Sequence, residues 1–172
     1  MTPVRMLRTA ALVGIVLSTL GCDQATKHSA RTHLSGALPR AVLGGFVHLA
    51  LTQNDGGFLS IGATLPAPLR TTVFLAGVSG CLLIAAAYLV RVSTLRFSIL
   101  LCAWCLWAGG LSNLLDRVRF AGRVTDFMIV GCGPLHTGVF NVADVAITAG
   151  AVLLTIMACR ASLERAPRTE SR

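Results

Sequence analysis

Apolar and polar positions alternate on two length scales along this chain. The longer scale marks four apolar stretches separated by arginine-bearing segments. Charge is absent from Thr9 to Cys22 (14 residues), from Thr71 to Val90 (20 residues) and from Phe97 to Leu115 (19 residues). A fourth stretch begins near Val139 and ends near Arg160, and Asp144 is its only internal charge. A bilayer core takes about 20 helical residues, so the last three stretches fit as they stand. The first fits if Arg8 snorkels and the helix runs on past Asp23. The pattern predicts membrane helices over about 7–27, 70–90, 97–115 and 139–160, outer loops over 28–69 and 116–138, and a flexible tail over 161–172. No polar stretch is long enough to enclose a second core, so residues 1–172 read as a single membrane domain.

The shorter scale appears in the first outer segment. Val47, Leu49 and Leu51 alternate with His48, Ala50 and Thr52, the period-two signal of a strand with one apolar face. Asn54-Asp55-Gly56-Gly57 then signals a turn. Phe58 to Leu65 reads as a short interfacial helix ended by Pro66 and Pro68. The fold class expected is mainly α: an integral membrane protein with four transmembrane helices, a small surface β-sheet and that interfacial helix. The second outer segment, Asp116 to Gly138, is rich in Gly and Arg and reads as a loop.

Composition sharpens this picture. Hydrophobic residues make up 54% of the chain and charged residues 13%, against about 25% charged in soluble domains. The net charge of +8 could suggest nucleic acid. The basic residues are spread over every loop rather than gathered on one face, and arginine beside anionic lipid accounts for them better. Nucleic acid is therefore not an expected partner. The basic residues are 14 arginines and a single lysine, Lys27, a weak sign that an ammonium is needed there. Eight basic residues fall in the termini and the short turn between the second and third helices, and seven in the longer segments opposite. The positive-inside rule then favours both termini in the cytoplasm. Four alternating helices carry all five aspartates, Asp23, Asp55, Asp116, Asp126 and Asp144, to the other face.

Candidate chemistry follows from those acids. An Asp well inside a spanning helix costs roughly 2.5–3.5 kcal/mol on insertion scales. Asp144 is such a residue, and Asp126 lies 18 positions upstream of it. Two adjacent carboxylates cannot both ionise cheaply, so they share a proton. The charged member can deprotonate water while the protonated one polarises a carbonyl. The plainer alternative makes Asp126 a solvated loop acid and Asp144 a helix N-cap. Asp23 and Lys27 form an i,i+4 pair, and Asp116-Arg117 could be an interfacial ion pair. Cys102 and Cys105 read as small buried residues, since no second ligand pair accompanies them. Nothing requires Cys22 and Cys132 to pair. Neither a zinc-protease His-Glu-x-x-His nor a Gly-x-Ser-x-Gly elbow is present.

Five motifs occur in order: Asp23-Gln24-x-x-Lys27, Asn54-x-Gly56, Gly109-Gly110 through Asn113-Leu114-x-Asp116-Arg117, Val124-x-Asp126-Phe127, and Phe140-Asn141-Val142-Ala143-Asp144. On this frame the chain resembles the lipoprotein signal peptidase (signal peptidase II) family over nearly its full length. The resemblance implies an aspartic endopeptidase of the bacterial inner membrane. It would be multi-pass, with cytoplasmic termini and a site near the periplasmic face. Its substrates would be diacylglyceryl-modified prolipoproteins, cut just before the lipidated cysteine. Asp126 and Asp144 would be catalytic. Asn54, Gly56, Asn113, Arg117 and Asn141 would bind substrate or order the site, and Asp23, Lys27, Asp116 and Phe140 would support it. No metal or organic cofactor is implied, the partners are substrate and membrane lipid, and a monomer is expected. The chain departs from the family pattern at Gly57, which alone separates Gly56 from Phe58, and in the long Gly-rich segment Gly131–Gly138. Two competing readings remain. One is a non-enzymatic membrane lipoprotein, suggested by Thr19-Leu20-Gly21-Cys22. The other is a small transporter using Asp144, disfavoured because the acids gather at one surface rather than at mid-membrane.

Overall fold

The computed structural model describes residues 2–57, 61–92, 94–132 and 134–165. Helix α1 spans Pro3–His33, with proline in its first turn, where a missing N–H is harmless. Its 31 residues reach about 46 Å at about 1.5 Å each, well beyond a hydrocarbon core of about 30 Å. The expected helix over 7–27 is thus too short at both ends. Its charged end does not unwind because the charges turn inwards: Thr19, Asp23, Lys27 and Ala30 form one buried stripe at helical spacing.

The second span runs unbroken from Ala67 to Arg91 as α2 (Ala67–Thr71), a π-helical segment (Thr72–Gly77) and α3 (Val78–Arg91). Helix α4 spans Phe97–Arg119 and outlasts the expected end at 115 because Asp116 and Arg117 are buried. Helix α5 spans Val142–Arg165. It starts later than the expected 139 because Phe140 bridges to a strand in β pairing. Four helices, Pro3–His33, Ala67–Arg91, Phe97–Arg119 and Val142–Glu164, are long and apolar enough to cross a membrane.

Four antiparallel strands lie in the order β1 (Arg40–Val42), β2 (Val47–Asn54), β3 (Val124–Cys132) and β4 (Leu135–His136). The first-loop strand is present as β2. Strand β3 corrects the reading of the second outer segment as a loop. The β-branched and aromatic run from Val124 to Val130 outweighs its flanking glycines. Pairing of β2 with β3 closes the two outer segments on each other, with Thr52 opposite Asp126 and Asn54 opposite Val124. The expected interfacial helix falls partly outside the described residues, at 58–60. Its remainder, Ile61 to Leu65, forms turns. Gly62 there has φ +79°, a left-handed conformation that breaks a right-handed helix.

Burial is inverted relative to a water-soluble protein. Leu7, Leu17, Leu83, Ile84 and Val152 are exposed, whereas Asp23, Lys27, Asp116, Thr125 and Asn141 are fully enclosed. A small apolar cluster of Ala30, Leu34 and Phe127 lies where α1 meets β3. Helices α4 and α5 approach at backbone distance: a Cβ on Gly109 would lie 2.6 Å from the Ala143 carbonyl oxygen. This is close packing of small residues, suited to association without a hydrophobic drive between helices. It brings Asn113 of α4 beside Asp144 of α5.

Candidate active site

The polar interior is built outward from Lys27. Its ammonium lies 2.7 Å from Asp23 Oδ2 and 3.4 Å from Asp116 Oδ2, and donates to Asn113 Oδ1 at 2.8 Å. Three acceptors surround a group with three donors, which explains an ammonium where the chain otherwise uses guanidinium. Asp23 is also filled by the Ser112 hydroxyl at 2.7 Å and the Ala143 N–H at 2.8 Å. Asp116 accepts the Thr125 N–H at 2.9 Å and the Gln24 amide at 3.1 Å. The supporting residues thus bind α1, α4, β3 and the start of α5 into one unit. Phe140 joins it through the backbone, exchanging hydrogen bonds of 2.9 Å with Met128 of β3.

Asn141 holds the two central carboxyls together. Its side-chain NH2 donates to Asp126 Oδ1 at 2.6 Å. Its side-chain oxygen accepts the Asp144 N–H at 2.9 Å, and its own N–H donates to Asp144 Oδ2 at 3.1 Å. That reciprocal pair is a capping box at the start of α5, so Asp144 does cap a helix. Its other oxygen, Oδ1, takes the Asn113 amide at 2.9 Å. Asp126 is not a solvated loop acid: it is 1% exposed, and its Oδ2 takes the Asn54 amide at 2.9 Å. Burial pushes the Asp126 carboxyl up to about 6, and the neighbouring Asp144 pushes the same way. The Asn54 and Asn141 amides and the Lys27 charge act against that shift.

Gly56 enters through its backbone. Its N–H donates to Asn54 Oδ1 at 2.8 Å, fixing the turn, and its carbonyl accepts Arg117 Nη2 at 2.8 Å. Arg117 also lies 4.9 Å from the ring centre of Phe74, in the π-helical segment. Its Nε is buried with no acceptor among the described residues. A groove of about 620 Å³ opens beside Asp144 and runs from His136 and Phe140 along Val145, Thr148 and Val152 of α5.

Every residue singled out in the sequence as catalytic, ordering or supporting lies in this one network. Asp55 does not: it pairs at the surface with Arg123 at 3.1 Å and Arg70 at 3.5 Å. Sequence reasoning missed Ser112, Thr125 and Phe74. Ser112 lies four residues before Asp116 on the buried face of α4, a periodicity that could have found it. Phe74 and Thr125 carry no local signal. All six cysteines are free, so Cys22 and Cys132 are not joined. Among the described residues no group of three or more His, Cys, Asp or Glu is placed to hold a metal ion.

A family model described as Signal peptidase (SPase) II matches residues 15–160. The chain is 37% identical over 142 residues to the lipoprotein signal peptidase of Syntrophus aciditrophicus, covering 78% of this chain and 83% of that one. It is 34% identical over 144 residues to that of Moorella thermoacetica, covering 81% and 87%. Its fold matches a bacterial membrane enzyme solved by the in meso method at 2.3 Å, with a TM-score of 0.73 at 21% identity, over 95% of each chain. The family match spans most of the sequence and the fold agrees with it along the same length: this chain belongs to the signal peptidase II family, and it is a multi-pass membrane protein.

Proposed function

We propose that the chain is an aspartic endopeptidase that removes signal peptides from prolipoproteins, cutting before a cysteine that already carries diacylglycerol. The observation that carries this reading is the joint hold of Asn141 on Asp126 and Asp144, at the head of a groove descending an apolar helix face. Four enclosed acids (Asp23, Asp116, Asp126, Asp144) face two enclosed cations (Lys27, Arg117). A proton shared by the central pair relieves that imbalance.

In the reaction, the ionised Asp takes a proton from water, whose oxygen bonds to the scissile carbonyl carbon. The protonated Asp gives its proton to the carbonyl oxygen. The tetrahedral gem-diol then collapses: the C–N bond breaks, the proton gained from water goes to the leaving amine, and one diol hydroxyl returns its proton to the second Asp, which leaves a new carboxyl terminus and restores the pair. Every proton transfer uses side chains of the chain itself, so this scheme calls on no cofactor. The groove along Val145, Thr148 and Val152 leaves the acyl chains in lipid while the peptide bond reaches the carboxyls. The setting is the bacterial inner membrane, with both termini cytoplasmic and the carboxylates near the periplasmic face, and the enzyme acts as a monomer. The non-enzymatic and transporter readings give no role to Asn141 joining two acids.

The test is cleavage of one purified precursor with and without its diacylglyceryl group, read by product mass. The expected result is cleavage of the lipidated form alone, with the lipidated cysteine as the new N-terminus. Equal cleavage of both forms, or a cut elsewhere, overturns the reading.

A further inference from the structure

A second cleft lies at the helix ends opposite the carboxylates. Helix α1 packs on α4 and α5, and α3 packs on α4, yet α1 and α3 stay apart toward the ends that bear Arg8 and Arg91. The gap is a cleft of about 350 Å³ walled by Thr9, Val13 and Val16 of α1, Leu89 and Val90 of α3, and Leu100 of α4. The walls are apolar apart from the indole N–H of Trp104 and the hydroxyl of Thr9, which donates to the Arg5 carbonyl at 3.0 Å.

The rim is cationic. Arg5 precedes Thr9 by one turn on the same helical face. Arg8 crosses to the turn before α4, donating to the Leu95 carbonyl at 2.9 Å with its guanidinium 5.6 Å from the Phe97 ring centre. Arg91 follows Val90 of the cleft wall, and Arg96 precedes Phe97. The chain holds no Asp or Glu before Asp23 or between Ile61 and Leu115. On α5, Glu164 lies at this end of the molecule and forms no ion pair among the described residues. A second copy on this face would set like charges against each other.

We propose that this cleft is a binding site for an anionic phospholipid, with one acyl chain between α1 and α3 and its phosphate held by Arg5, Arg8 and Arg91. Guanidinium matches phosphate geometry, and each arginine near an anionic headgroup strengthens attraction.

Native mass spectrometry of the full chain in non-ionic detergent tests this, with equimolar phosphatidylglycerol and phosphatidylcholine of identical acyl chains. Phosphatidylglycerol is expected to be retained about fivefold or more over phosphatidylcholine. The Arg5→Gln/Arg91→Gln double variant should lose the preference but still bind lipid, and Arg5→Lys/Arg91→Lys should keep it. Val16→Trp, which fills the cleft, should reduce retention of both lipids. These surface arginines carry no packing, so the Gln and Lys pairs decide the matter even if Val16→Trp does not fold. Equal retention by the unaltered chain, an unchanged preference in the Gln pair, or a dimer that lipid does not displace overturns the proposal.

Discussion

At the scale of single residues, the site depends on how each charge is matched. Asp126 is held near 6 instead of 3.8, first by burial. The folded state therefore binds this proton more tightly than the unfolded chain. Between pH about 4 and 6 the unfolded chain has lost the proton and the folded one has not, so stability falls as pH rises. The loss totals roughly 3 kcal/mol and levels off above the upper value. Unfolding of the detergent-solubilised protein across this range should show that slope, and Asp126→Asn should lack it; parallel curves would contradict the assignment. Lys27 gives a second expectation. Its three acceptors lie 2.7–3.4 Å away in a fully closed space. Lys27→Met leaves two buried carboxylates uncompensated and should cost roughly 3–5 kcal/mol. Lys27→Arg should not rescue it, because a planar guanidinium cannot reproduce three converging bonds. Melting temperatures of the two variants check this, and a near-native Lys27→Arg would count against the matched cage.

At the scale of elements, the helices were legible because each apolar run is long and nearly uncharged. Their ends were less so, and for one reason. Asp23, Lys27, Asp116 and Arg117 look like stop signals in a linear reading, but Asp23 and Lys27 pair within α1 and all four also find ion-pair or hydrogen-bond partners in distant elements. Helices α1 and α4 therefore continue through them. Strand β3 was hidden because its ladder partner is supplied by the other outer segment. Asp144 stood out as a candidate in the sequence, since an Asp inside an apolar run has few cheap explanations. Asn141 as the link between two acids became visible only in three dimensions, since its bond to Asp126 spans 15 residues. The Gly109 contact with α5 yields a further expectation. Gly109→Val would press into the Ala143 carbonyl and the Ile147 side chain. It should cost about 1–3 kcal/mol and lower activity with it, by parting Asn113 from Asp144. A Gly109→Val protein of native stability and activity would show that the helices have slack the geometry denies.

At the scale of the whole molecule, the proposed topology of four crossings would put both termini at one membrane face and the sheet with its carboxylates at the other. A membrane-impermeant thiol reagent should label exposed Cys132 from the periplasmic side, while a tag after Arg172 stays protected. Labelling of both from one side would refute the proposed crossing pattern. Under the proposed function that arrangement would give a lateral route, with substrate entering from the bilayer along the α5 groove that reaches Asp144. The most direct test is turnover of a lipidated precursor by purified Asp126→Asn and Asp144→Asn, each first shown to be folded. The account predicts that each loses cleavage by at least about 10³-fold, since either loss removes the shared-proton pair. Substantial cleavage by either folded variant would contradict it.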